Sequence, residues 1–140
     1  MSTVLWANVL AAGEVKSDQG DCFALYKHAA KLDSIATSLG LPSFVGICDT
    51  TDQRFNLEDK DLPAGMTSTD ELMAAEGVWM PIKEAVNYLQ ALRDHVVQKN
   101  VRFGLLSNQQ SEVVKELDEV IVFVNREAPS AQKFNFSVVM

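Results

Sequence analysis

The sequence predicts an α+β fold: three or four helices packed on a small sheet formed by N-terminal, middle and C-terminal strands. Three observations lead there. Several long stretches repeat apolar residues at steps of three and four, the period of a helix with one buried face. Both ends of the chain are short runs of β-branched and large apolar residues, which favour strands. Strand and helix signals do not follow the steady β-α-β-α order that builds a parallel sheet. The 140 residues are 47% hydrophobic and contain no repeat, low-complexity tract or Pro/Gly-rich linker, so residues 1–140 read as a single compact domain. A chain of this length buries roughly two-thirds of the surface its unfolded form exposes and needs no metal or bridge to fold.

The elements follow in order. Thr3 to Leu10 is a strand by composition, and Ala12-Gly13-Glu14 a turn. A helix opens near Gly20-Asp21 and runs to Leu39, with Gly40 as its stop and Pro42 beyond. Its stripe is Cys22, Leu25, Ala29, Leu32, Ala36 and Leu39. Ser43 to Cys48 is a short apolar strand, followed by an acidic irregular segment over 49–67. Ser68-Thr69-Asp70-Glu71 is a capping box opening a short helix that Gly77 ends. Pro81 suits the first turn of a helix reaching about Asn100, with Ile82, Ala85, Val86, Leu89, Leu92 and Val96 in line. A last helix spans about Gln109 to Glu127, although Val120-Ile121-Val122-Phe123-Val124 also has strand propensity. Lys133 to Met140 alternates as a closing strand, expected to pair with the first. At a sheet edge it would offer a route to a homodimer.

Charge narrows the partners. The formal net charge is −7; the window from Asp49 to Glu71 carries −5 of it, and the other 117 residues only −2. Phosphate binding depends on Lys and Arg releasing counterions, so nucleic acid is not the expected partner, and an anionic membrane surface is disfavoured for the same reason. A basic protein or a cation is what such a segment would steer. Cys22 and Cys48, 26 residues apart with no C-x-x-C, read as reduced thiols of a cytoplasmic protein. The apolar stretch from Val4 to Ala12 has no Lys or Arg ahead of it, which argues against a secretory leader.

The common chemical signatures are absent: no Walker or dinucleotide glycine loop, no H-E-x-x-H, no G-x-S-x-G, and no EF-hand spacing around Asp49 and Asp52. No metal site or cofactor is expected. The leading expectation is a non-catalytic protein-binding module. It would dock a basic partner through Asp49, Asp52, Glu58, Asp59 and Asp61, with Phe55 and Trp79 as aromatic anchors. The alternative is a small enzyme or ligand-binding domain with its pocket near Cys48, Asp49, Asp52 and Arg93. Arg93 falls close to the apolar stripe of its helix, so its guanidinium needs an acid, for which Asp49 and Asp52 are candidates. His28 would join that pocket, and with Cys48 would form a nucleophile pair if the fold brought them together. Lone histidines such as His28 and His95 otherwise belong to the surface.

Overall fold

The computed structural model describes residues 2–58 and 61–140. Strands β1 (Val4–Ala11) and β2 (Glu14–Ser17) form an antiparallel hairpin turned by Ala12 and Gly13, both at positive φ. Helices α1 (Phe23–Lys27) and α2 (Ala29–Ser38) follow, then a single 3-10 turn at Val45–Ile47 and the two-residue β3 (Cys48–Asp49). Next come α3 (Thr51–Glu58), α4 (Thr69–Glu76), β4 (Met80–Pro81), α5 (Ile82–Gln98), α6 (Gln110–Glu127) and β5 (Lys133–Val139). Among the described residues this makes six helices and a five-stranded sheet, an α+β domain.

β1 and β5, the first and last strands, pair antiparallel from Val4↔Val139 to Leu10↔Lys133. On the other side of β5, β4 pairs antiparallel at Phe134 and β3 parallel at Phe136. β5 is therefore an inner strand, not the edge that the sequence suggested as a dimer contact. Strand alternation divides its side chains between two faces. Leu5, Ala7 and Val9 of β1, with Phe134, Phe136 and Val138 of β5, join the main apolar core with residues of α1, α2, α5 and α6. The alternate positions, Trp6, Asn8, Asn135 and Ser137, face the layer formed by α3 and α4.

The helices depart from expectation at three points. The first predicted helix is two helices, broken at His28 (φ −107°, ψ 21°). There the imidazole Nε2 lies 2.7 Å from Gln109 Oε1 and the ring meets Phe103 edge-on at 5.3 Å, contacts made from 75 and more residues away. His28 is thus half-buried at a junction and not free on a flank. The segment 49–67 is not wholly irregular, because α3 occupies Thr51–Glu58. The strand expected over Ser43 to Cys48 shrinks to Cys48–Asp49, since Val45–Ile47 closes into the 3-10 turn. Residues 120–124 are helical, with Val120, Ile121, Phe123 and Val124 buried and Val122 facing out. The capping box is half made. Ser68 Oγ accepts from the Glu71 N–H at 3.3 Å, while the Glu71 carboxylate accepts from Thr67 Oγ1 at 2.7 Å. Among the described residues no helix is long and apolar enough to cross a membrane.

Candidate functional site

The outer face of the sheet is polar where a core would be apolar, and its buried groups satisfy one another. Asn8 Nδ2 donates to Asn135 Oδ1 at 2.9 Å, Ser17 Oγ to Asn8 Oδ1 at 2.5 Å, and Asn135 Nδ2 to the Val78 carbonyl at 2.8 Å. Trp6 Nε1 donates to Asp21 at 2.8 Å. A fully satisfied polar network fixes its members in place, so this strip forms a rigid floor.

Over the floor, the first turns of α3 and α4 converge. Asp52 accepts from Thr69 Oγ1 at 2.8 Å and from Asn56 Nδ2 at 3.2 Å. Asp70 follows Thr69 and reaches the same recess, about 200 Å³ in volume, which Trp6, Ser17 and Ser137 line from the sheet and Met73 from α4. Burial pushes the Asp70 carboxyl above the usual aspartate range, and the neighbouring Asp52 charge pushes it further. Among the described residues no Lys or Arg forms an ion pair with either carboxylate.

Two shallower grooves adjoin α4. One, about 240 Å³, carries Glu58, Asp61 and Glu76 with Phe55 and Arg54. The other, about 270 Å³, carries Glu14, Asp70 and Glu71. The α3–α4 layer is therefore lined by Glu14, Asp52, Glu58, Asp61, Asp70, Glu71 and Glu76, with Arg54 as the one cation among the described residues of these linings.

The sequence-predicted residues separate. Asp52, Phe55, Glu58 and Asp61 line this face. Asp59 lies outside the described residues. Asp49 does not belong to the surface. It is 3% exposed, and its carboxylate accepts from the Thr51 N–H at 2.8 Å and the Val78 N–H at 3.0 Å, tying β3 to the segment before β4. Trp79 is not an open anchor either, because it is half-buried and its indole N–H donates to the Met73 carbonyl at 2.9 Å.

The alternative pocket does not assemble. Arg93 faces α6, not Asp49 or Asp52. Its Nε donates to Asp118 at 2.9 Å and its Nη1 lies 3.6 Å from Asp94. The Asp118 hydrogen bond and charge raise the guanidinium pKa. Cys48 Sγ contacts the Phe44 carbonyl at 3.3 Å, and burial pushes its thiol up to about 12. His28 is held by Gln109 instead, so the two form no nucleophile pair. Among the described residues no group of three or more His, Cys, Asp or Glu is placed to hold a metal ion.

Trp6 and Asp70 were not among the site residues expected from the sequence. Asp70 stood there as part of the capping box and as one acid of the charged window. Trp6 occupies an odd place in its strand, an aromatic on the face that also carries Asn8 and Ser17. Comparison of the chain with family models, with curated proteins and with solved structures finds no match, so functional statements rest on the residues themselves.

Proposed function

We propose that the chain is a non-catalytic binding module that docks a basic partner on the α3–α4 face. The observation that supports this is the recess in which Asp52 and Asp70 converge with no ion-paired Lys or Arg among the described residues. Two carboxylates at the rim of a recess attract an ammonium or guanidinium head, while Trp6 and Met73 offer apolar surface to its aliphatic stem. The adjoining acidic grooves would take neighbouring basic residues of the same partner and raise the rate of encounter. Size favours a side chain over a free metabolite. The recess holds about 200 Å³, below the roughly 300 Å³ at which pockets for drug-sized ligands begin. The raised Asp70 pKa, from partial burial and then the Asp52 charge, agrees with a carboxyl that would gain from a counter-charge.

The test compares wild type with Asp52→Asn/Asp70→Asn as bait in a native lysate, followed by titration calorimetry with a lysine-rich peptide as probe. The double variant should lose the captured basic protein and bind the peptide at least about tenfold more weakly, equivalent to about 1.4 kcal/mol. The remaining affinity should fall less steeply with salt than that of wild type. Equal capture and equal affinity for both proteins would remove this reading.

A further inference from the structure

The sheet leaves an edge open beside α4. In the strand order β2-β1-β5-β3, β2 stands at the end. Which of its backbone groups are already used follows from the ladder. The pairs Val9↔Lys16 and Ala11↔Glu14 share one register with the Asp18 N–H, which donates to the Ala7 carbonyl at 2.9 Å. Antiparallel strands exchange hydrogen bonds at every second pair. Glu14, Lys16 and Asp18 therefore turn their backbone groups toward β1, and Val15 and Ser17 turn theirs away from it. Among the described residues neither the Val15 nor the Ser17 N–H has a hydrogen-bond partner. These two outward positions lie roughly 7 Å apart along the strand.

The same two residues face the acidic layer. Ser17 lines the recess of about 200 Å³ that holds Asp52 and Asp70, and Val15 lines the groove of about 270 Å³ that holds Asp70 and Glu71. Asp70 belongs to both, so the two hollows lie side by side along β2. Lys16, between Val15 and Ser17 in sequence, projects from the opposite face, where its ammonium meets Glu127 at 2.7 Å. It neutralises none of the α4 acids. Among the described residues no ion pair engages Asp52, Asp70 or Glu71.

We propose that β2 receives an extended basic segment of the partner as an added strand, with lysine or arginine at two positions separated by one residue. An added strand satisfies the outward backbone groups, and its side chains supply the specificity. Those that stand beside Val15 and Ser17 point to the same face as these two residues. One then enters the groove at Asp70 and Glu71, the other enters the recess at Asp52 and Asp70, and the residue between them points toward Lys16 and Glu127. Two basic residues in direct succession would send one of the pair to that opposite face. The acids also select against a second copy of this chain. Two copies paired edge to edge along β2 would bring their α4 carboxylates toward one another, and like charges across a strand pair are destabilising. The proposal rests on the docking face described above and adds to it the conformation and spacing of the bound segment.

The experiment adds two capped peptides of equal composition to the full chain, one with two lysines at alternate positions and one with them adjacent. Binding is followed by titration calorimetry and by amide hydrogen exchange. The alternating peptide should bind at least about tenfold more tightly than the adjacent one. At saturation it should slow exchange of the Val15 and Ser17 N–H groups at least about tenfold. Val15→Pro deletes one outward N–H, leaves the bonds to β1, and should keep the wild-type circular dichroism. It should weaken the alternating peptide by roughly three- to tenfold. N-methylation of the peptide where its N–H faces β2 should do the same without altering the chain. Equal affinity for the two peptides, or binding that leaves the exchange of Val15 and Ser17 unchanged, would overturn strand addition. The docking face is then judged by Asp52→Asn/Asp70→Asn, which weakens both peptides if that face holds them. Binding of neither peptide would overturn both readings. Sedimentation equilibrium of the chain alone tests the remaining occupant: a dimer that already protects the two N–H groups would assign the edge to a second copy and overturn the proposal.

Discussion

Asp70 is a residue held against its own ionisation. Burial and the Asp52 charge raise its folded pKa, so the fold favours the protonated form. That contribution to stability is fully present below the unfolded pKa and is lost as pH rises through the raised folded value. Asparagine does not ionise and keeps it at neutral pH. Asp70→Asn should therefore be more stable than wild type to urea at pH 7, and the advantage should vanish in acid below the ordinary aspartate range. A variant that gains stability while losing the basic peptide would show a carboxylate kept for binding at a cost to the fold. Gly77 makes the opposite case. A Cβ there would lie 2.5 Å from the Met73 carbonyl oxygen and 2.8 Å from Asp49 Oδ2. Both neighbours are fixed, the first in α4 and the second by its two backbone hydrogen bonds. Gly77→Ala should lower the urea midpoint by an amount equivalent to about 1–3 kcal/mol, the usual cost of overpacking. None of this was visible in the chain as letters. Asp49 sits among six other acids of one window and resembles them until Val78, 29 positions later, turns its N–H toward it.

At the level of elements, legibility followed periodicity. The stripes of α5 and α6 are long and regular, and their apolar positions are the buried ones: Ala85, Leu89, Leu92 and Val96 in one, Val113, Leu117, Val120 and Val124 in the other. α3 escaped detection because its eight residues include only two large apolar ones, Phe55 and Leu57, and so no stripe. The break between α1 and α2 escaped because its cause is remote: Gln109 and Phe103 claim His28 from another part of the chain. The N-terminus of α6 shows how such remote segments are secured. Asn108 Oδ1 accepts from the Gln110 N–H in its first turn and from the Phe103 N–H before it. Asn108→Ala strands both donors and should cost about 1–2 kcal/mol in thermal or urea unfolding, in the range measured for lost helix caps. Asn108→Asp, which keeps the acceptor, should recover most of it.

The molecule as a whole is layered: four helices on the apolar face of the sheet, the two acidic helices on its polar face, and both thiols set toward the core. Burial raises Cys22 and Cys48 alike to about 12, which leaves on the order of one thiol in 10⁵ ionised at pH 7. Thiolate is the reactive form, so a disulfide reagent such as Ellman's should label the native protein slowly and the urea-unfolded protein at once. Labelling in the native state should then report the opening of the fold and not the chemistry of a site. Rapid labelling of either cysteine under native conditions would contradict the packing around them. The α+β class and the single domain were legible from composition and pattern, while the pairing of the first strand with the last was expected without a pattern that required it. The division into two unlike faces was not, because it depends on which of two alternating sets each helix covers.

The place of β5 also sets a schedule for synthesis. β1 emerges from the ribosome well before its principal partner, which begins only at Lys133, more than 120 residues later. At 5–20 residues per second, that interval is roughly ten seconds. Throughout it the β1–β2 hairpin carries a bare β1 edge and an uncovered apolar face, and neither β3 nor β4 has a strand to join, since both pair with β5. The sheet cannot close before β5, the last of its strands to be made, is present. A nascent chain stalled before Phe134 would thus hold helices and a hairpin with no sheet between them, and it is at this stage of its life that the protein has most need of a chaperone.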